Sequence, residues 1–299
     1  MRRLLLLGLV LSAACHGAQH TSATTPAPLI DRLNQRIQAS GATVGFYYRG
    51  LDSGDSLLLG ADQRFHAAST MKVPVMVQLF RDVDAGRLRL DDSIAVTNTF
   101  ASLIDQSPYS LDKADDSDST LYERVGGRAT VRELVELMIT VSSNLATNIL
   151  IATVHAERAD ATAHELGADS IAVLRGVEDG KAYQAGRNNT TTARDLGHVL
   201  GAIATQRAAS PAATREMLGV LERQRFNEGI PAGLPAGTRV AHKTGSITAL
   251  YHDAGIVTAP SGRRYVIVVL TRGLEKEADL HTLVADLSRM VFEERYSDR

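Results

Sequence analysis

The sequence predicts an α/β fold of two subdomains, in which one antiparallel sheet is built from both termini and flanked by helices. An all-helical subdomain is inserted between the two halves of that sheet. Three observations carry this expectation. Strand patterns lie near the two ends of the chain, helical patterns fill the middle, and no internal repeat divides the sequence. The 299 residues suit one large domain or two small ones, and 44% hydrophobic with 22% charged residues is globular composition.

Met1-Arg2-Arg3 is a basic start, residues 4–11 are apolar, and Ser12-Ala13-Ala14 offers small residues for cleavage. That is the layout of a secretory signal peptide over residues 1–14. The apolar run is shorter than the roughly 18 residues a membrane span needs. Cys15 follows directly, in a setting that resembles a bacterial lipoprotein box, although Leu11 lies one place further from it than that pattern prefers. Cys15 is therefore a candidate lipid anchor, and residues 15–28 read as a linker rich in Ala, Ser, Thr and Pro. Export to the periplasm or the extracellular space is expected, with or without membrane anchoring.

One domain is expected over 29–299. Leu29, Leu33 and Ile37 recur at helical spacing. Residues 42–48 read as a strand, 50–54 as a turn and 56–59 as a returning strand. Residues 69–80 change to a helix with Met71, Val75, Met76 and Leu79 on related faces. Helical patterns continue over 130–141, 144–156 and 193–204, while the acidic stretch 110–118 is expected to be an exposed excursion. Strands return at 239–244, 254–258 and 265–271, with Pro260-Ser261-Gly262 as a turn, and 277–292 closes as a helix. The sheet subdomain is thus expected over 29–66 plus 215–299, and the helical subdomain over 67–214.

Composition excludes several classes of function. Lys and Arg number 32 against 34 Asp and Glu, a formal charge of −2, so no electrostatic footprint for nucleic acid is present. With no Trp, six Phe and eight Tyr, a stacking platform is not expected. The single Cys rules out an intramolecular disulfide and a multi-cysteine metal site. The nine His include no metal-binding spacing, and neither a Gly-x-Ser-x-Gly elbow nor a phosphate-binding glycine loop occurs. No metal and no cofactor are expected. A monomer is the working expectation, the sequence being otherwise silent on assembly.

The chemistry starts at Ser69-Thr70-Met71-Lys72, at the head of an apolar helix. Positions i and i+3 share a helix face, so Lys72 can reach the Ser69 hydroxyl. A serine needs a neighbouring base to become a nucleophile, and an amine of depressed pKa can serve. A second Ser-x-x-Lys at Ser110 to Lys113 has no apolar helix behind it and is a control; for Ser69 alone, helix capping is the plainer reading. Further on come Ser142-Ser143-Asn144 and Lys243-Thr244-Gly245. Singly, each is explained by capping or by a solvated charge. In order they are not.

That ordered triple resembles the penicillin-recognising serine hydrolases, most of all class A β-lactamases, over nearly the whole chain from Leu29 to Tyr296. The run Thr190-Thr191-Thr192-Ala193-Arg194-Asp195 resembles the segment after that family's Ω loop. The resemblance implies a β-lactamase/transpeptidase-like fold, with Ser69 as acylated nucleophile and Lys72 as its base or proton relay. It implies that Ser142 protonates the leaving nitrogen and that Asn144 binds the substrate's side-chain amide. Lys243 and Thr244 would hold the substrate carboxylate, Lys243 also lowering the pKa of Lys72 by like-charge repulsion. Backbone N–H groups of Ser69 and Ser246 would form an oxyanion hole, with Gly245 letting substrate pack close to the strand.

Two departures stand out. Ser143 occupies the centre of the family's usual Ser-Asp-Asn, whose acid is mainly structural. In the Ω loop, Glu178 is the implied deacylating base, but Lys181 and Ala182 replace the expected Leu and Asn, Asn189 replaces an Asp before the Thr run, and Asp179 is the adjacent alternative. His242 and His252 flank the Lys-Thr-Gly region, where packing is the plainer role. The implied activity is β-lactam hydrolysis through a serine acyl-enzyme, on a small-molecule β-lactam or peptidoglycan-like substrate. A D-alanyl-D-alanine carboxypeptidase or other acyl hydrolase on the same fold is the first alternative, and a catalytically weak β-lactam or cell-wall binding module the second.

Overall fold

The computed structural model describes residues 27–297. The signal peptide read over residues 1–14, Cys15 and nearly all of the linker lie outside them. Five strands form one sheet: β1 (Thr43–Gly50), β2 (Ser56–Leu59), β3 (Arg239–Ile247), β4 (Leu250–Thr258) and β5 (Arg264–Arg272), in spatial order β2-β1-β5-β4-β3. All four pairings are antiparallel, so the N-terminal hairpin meets the C-terminal meander along β1 and β5, where Phe46 faces Val269. The central strand β5 is continuously apolar from Tyr265 to Leu270 because both of its faces are covered there.

Alternation along the strands divides the core in two. Phe46, Tyr48, Tyr265, Ile267 and Val269 pack beneath α1 (Leu29–Ser40) and the closing helix Glu277–Arg295. Tyr47, Val266, Val268 and Leu270 face the opposite side, where they join the core of the inserted helices. That insert contains α2 (Lys72–Asp84), α3 (Val131–Thr140), α4 (Asn144–Val154), α5 (Ala156–Glu165), α6 (Gly180–Gln184), α7 (Ala193–Ala204) and α8 (Pro211–Glu222). The closing helix is α9. Among these helices α7 lies directly on the sheet, its residues against β1, β4 and β5, and α8 packs against β3.

Local chemistry sets several ends. Thr130 and Glu133 form a reciprocal capping box at the start of α3, and Ser210 caps α8 ahead of Pro211. The helix expected over 144–156 is two helices. His155 adopts φ +68° between α4 and α5, a backbone turn that apolar periodicity does not reveal. The acidic stretch 110–118 is exposed at six of its nine residues, as expected, but it is not a free excursion. Leu111 and Asp118 are buried in it and Asp116 is half-buried, because this segment folds back against the head of α4.

Two glycines of α7 test the packing of that helix on the sheet. A Cβ on Gly197 would sit 2.4 Å from the Tyr47 ring, whereas one on Gly201 would meet nothing within 4 Å. Gly201→Ala should stabilise by roughly 0.5–1 kcal/mol, the ordinary helix-propensity gain. Gly197→Ala should instead destabilise by about 1–3 kcal/mol through overpacking. Urea denaturation of both variants checks the opposite signs.

Candidate active site

The site forms where the head of α2, the turn between α3 and α4, strand β3 and the loop before α6 converge. Ser69 lies in a short 3-10 turn, Ala68–Met71, that leads into α2. Ala68, with φ +45°, is turned out of the ordinary helical region, and its N–H donates to His66 Nδ1 at 3.1 Å. Strand β3 runs directly against this turn. A Cβ on Gly245 would stand 2.9 Å from the Ser69 backbone nitrogen and 3.1 Å from that of Thr70. The missing side chain therefore admits the nucleophile turn itself, the close approach for which glycine is suited.

Lys72 is buried, and its ammonium donates to three acceptors: Ser142 O at 2.7 Å, Ser142 Oγ at 3.1 Å and Asn144 Oδ1 at 2.9 Å. An ammonium has three donors, so these bonds occupy it fully. The hydrogen bond from Lys72 to Ser69 read from i,i+3 spacing is not among them. The physical reason is competition for the amine, since Ser142 offers two oxygens at once and Asn144 a third. Ser142 offers both because it has φ +58°, a strained backbone between α3 and α4.

Lys243, also buried, donates to Ser142 Oγ at 3.1 Å and to Thr244 O at 2.8 Å. Two lysine side chains thus meet at one hydroxyl. Burial lowers the Lys72 amine to about 7, against the opposing pull of the Asp116 and Glu178 carboxylates. This corrects the expected cause, since loss of water and not the charge of Lys243 leads. The like-charge repulsion is felt on the other partner. Burial first, and then the Lys72 charge, hold Lys243 well below the ordinary lysine range.

Glu178 stands at the mouth of the cleft with φ +61°, and Asn144 Nδ2 donates to its Oε1 at 2.6 Å. Asn144 therefore links the carboxylate to Lys72. Partial withdrawal from water raises the Glu178 carboxyl above its ordinary value, against the Asn144 hydrogen bond. Asp179 is not an alternative to it. Its carboxylate accepts Ser102 Oγ at 2.9 Å, Leu103 N at 2.8 Å and Ala182 N at 3.1 Å, so it caps α6 and fastens a neighbouring loop. Asn189 Oδ1 accepts the N–H groups of Leu174 and Arg175, and Asn189 Nδ2 returns a bond to Arg175 O, clasping the base of the loop.

Ser69, Asn144, Glu178 and Ser246 line one cleft of about 900 Å³, and Ser110 of the second Ser-x-x-Lys lies on its wall. Lys113, the lysine of that copy, is instead paired with Glu123 outside the site. Ser246 Oγ donates to Glu277 Oε1 at 2.5 Å, so this hydroxyl is already engaged at the rim. Thr244 is buried on β3 beside Lys243. His242 is buried against Asp253 at 2.8 Å, and His252 Nε2 lies 2.9 Å from His66 O with burial holding its pKa down to about 4. Both histidines are packing residues in the sheet.

Two residues escaped the sequence reading. Asn148, buried in α4, accepts Val177 N–H at 2.7 Å and donates to Val177 O at 3.0 Å, fixing the residue before Glu178. Its signal was a polar side chain between Leu145 and Ile149 on an apolar helix. Asp116 had no such signal. Its carboxylate accepts the N–H of Asn144 at 2.9 Å and of Leu145 at 2.9 Å.

A serine at a helix head, two buried lysines joined through a second serine, and a loop carboxylate define a serine acyl-transfer site on a sheet-and-helix scaffold. The family model described as "Beta-lactamase enzyme family" matches residues 28–294, and the chain belongs to that family. The β-lactamase AST-1 of Nocardia asteroides is 30% identical over 95% of this chain and 90% of its own. A mutant of PBP-A solved as its acyl-enzyme complex with penicillin G is 32% identical, covers 89% of this chain and 95% of its own, and superposes with a TM-score of 0.76. A β-lactamase from Sphaerobacter thermophilus is 29% identical over 88% of this chain and 96% of its own, also with a TM-score of 0.76.

Removal of Asn148 tests how the Glu178 loop is held. Asn148→Ala leaves Val177 N–H without its partner and Val177 C=O with only the Tyr109 hydroxyl at 3.3 Å, a loss of about 1–3 kcal/mol. Hydrogen exchange of the Val177 amide should accelerate strongly, while that of amides in α1 should not change.

Proposed function

We propose that this protein hydrolyses β-lactams through an acyl-enzyme on Ser69. The observation that carries the reading is the buried Lys72 amine, poised near neutral pH beside the nucleophile turn and joined through Asn144 to Glu178. In the acylation half, neutral Lys72 takes the Ser69 proton as Oγ attacks the lactam carbonyl. Backbone N–H groups of Ser69 and Ser246 hold the oxyanion. The C–N bond breaks as Ser142 delivers a proton to the leaving nitrogen, and Ser142 Oγ is recharged from the lysines that share it. Asn144 binds the side-chain amide of the substrate. Lys243 and Thr244 receive the substrate carboxylate, whose negative charge restores the proton that burial disfavours on Lys243. In the deacylation half, Glu178 takes a proton from water as its oxygen attacks the ester carbonyl, and as the acyl C–O bond breaks that proton passes on to Ser69 Oγ, restoring the free serine and the Glu178 carboxylate.

With a subdomain division at 29–66 plus 215–299 and at 67–214, whose second boundary falls within α8, this chemistry lies along the seam, with Lys243 from one side and Ser69, Lys72, Ser142, Asn144 and Glu178 from the other. The same reading makes residues 1–14 a signal peptide, Cys15 a candidate lipid anchor and the working molecule an exported monomer that needs no cofactor. Among the described residues no helix is long and apolar enough to cross a membrane.

Ser69→Ala should abolish labelling by a fluorescent penicillin, since loss of a cooperating nucleophile can cost on the order of 10⁶ in turnover. Peptide mapping of an adduct to Ser110 would overturn the assignment. The acylation rate of the wild type should fall as pH drops through about 7, because protonated Lys72 cannot accept the Ser69 proton. Lys72→Arg should be as damaging as Lys72→Ala, the guanidinium staying protonated, whereas Lys243→Arg should be milder.

Glu178→Gln separates the two halves. The variant should still acylate but accumulate the covalent adduct, with deacylation slowed by about 10²–10⁴-fold. Intact-mass detection through a burst experiment reads this directly. Deacylation at the wild-type rate would place the base elsewhere.

A further inference from the structure

The centre of the Ser142-Ser143-Asn144 motif lacks the acid that the family resemblance leads one to expect, and Ser143 is fully buried there with its Oγ accepting Ala146 N–H at 3.3 Å. That bond caps the third residue of α4. The N–H groups of Asn144 and Leu145 are left over, and orphan donors at a helix head must find an acceptor. They find Asp116, which reaches in from the acidic loop 28 residues earlier than Asn144. Its two oxygens lie 2.9 and 3.0 Å from Asn144 N, one of them also 2.9 Å from Leu145 N, and Tyr122 OH donates to the same oxygen at 3.1 Å.

We propose that Asp116 is a positioning residue that replaces, from a separate loop, the central acid missing at Ser143: its carboxylate fixes the first turn of α4 and with it the Ser142 and Asn144 oxygens that hold Lys72. A carboxylate is suited to this place because it accepts several N–H groups at once and complements the positive end of a helix. The groups facing Lys72 are then Asp116 from this loop, Glu178 from the loop before α6, and Lys243 from β3 through Ser142 Oγ. Asp116 and Glu178 favour the charged amine. Removing the Asp116 charge therefore lets Lys72 lose its proton at a lower pH.

This inference rests on the acyl-enzyme reading for its kinetic test, so a second readout is kept independent of substrate. The experiment compares Asp116→Ala, Asp116→Asn and Asp116→Ala/Ser143→Asp with wild type. Penicillin labelling of Ser69 across pH gives the acylation rate, and hydrogen exchange gives the protection of the Asn144 and Leu145 amides. Asp116→Ala should acylate roughly 10- to 100-fold more slowly, as misplacement of a catalytic group does. The acid limb of its profile should move to lower pH, and both amides should exchange faster. Asp116→Asn keeps an acceptor oxygen without the charge, so it should retain more of the rate yet show the same displaced limb. It also carries the test if the alanine variant does not fold. Adding Ser143→Asp, itself a good capping residue, should recover most of the rate and return the limb.

An Asp116→Ala rate within about twofold of wild type, with an unmoved acid limb, would overturn the proposal. So would a lost rate that Ser143→Asp leaves unrestored, or unchanged exchange at Asn144 and Leu145. Failure of wild-type Ser69 to take the label would instead overturn the acyl-enzyme reading, with the exchange measurement still deciding the positioning role.

Discussion

Two lysine amines buried around one serine hydroxyl are the constraint on which the site depends. A buried ammonium without partners is very costly, and two of like charge are worse. Ser142 relieves this with both its oxygens. Its carbonyl and hydroxyl accept Lys72, the hydroxyl accepts Lys243, and the positive φ of Ser142 is the backbone conformation that turns both oxygens inward. Such strain persists only where surroundings over-determine it. Here Ser143 N–H is tied to Leu137 O at 3.0 Å, and the following turn is held by Ser143 and Asp116.

The fold supplies the surroundings. Helix α2 is buried along most of its length, so Lys72 enters the site from a helix that cannot rotate or slide without disturbing the core. Lys243 comes from β3, an edge of the sheet, in register with Ala254 of β4. What brings the two elements together is Gly245, whose bare Cα lets β3 lie against the Ser69 turn. The nucleophile is therefore pinned between a helix of one subdomain and a strand of the other. The Glu178 loop reaches the same cleft by separate clamps, Asn148 at Val177, Asn189 at its base and Asp179 at the start of α6.

Much of this was legible in the sequence, for reasons that also mark where legibility stopped. The strand expected over 265–271 announced itself by the apolar run from Tyr265 to Leu270, and its junction with the preceding strand by the Pro260-Ser261-Gly262 turn. Ser69, Lys72, Ser142 and Lys243 stand out in the sequence because they fall in ordered short motifs, and the structure brings them to one place; Glu178, implied only by the resemblance, stands beside them. The break at His155 was hidden, since apolar spacing continues across it and only the backbone changes. The Lys72–Ser69 hydrogen bond was misjudged because i,i+3 spacing says which side chains share a face but not that Ser142 and Asn144, 70 and 72 residues away, compete for the amine. Asp116 was lost for a more general reason. Polarity in a sequence is read as solvent exposure, yet the head of α4 needs acceptors, and an acidic loop far away in sequence can provide them as well as water does.

The electrostatics of the site follow from the same exchange of partners. Lysine in water titrates near ~10.4. Burial drives Lys72 down, and two carboxylates, Asp116 and Glu178, oppose that drive, leaving the amine at about 7. Glu178 moves the opposite way, upward, as its carboxyl leaves water. The two groups therefore approach one another in acidity while Asn144 bridges them with both ends of its amide. Groups that must take a proton in one step and give it back in the next work best when their pKa values lie near the ambient pH. A more polar cleft would leave Lys72 charged, and one without carboxylates would hold it neutral with little basicity. Burial of the lysine and the placement of acids around it are thus a single adjustment, made by how the loop 110–118 and the loop before α6 close on the head of α4.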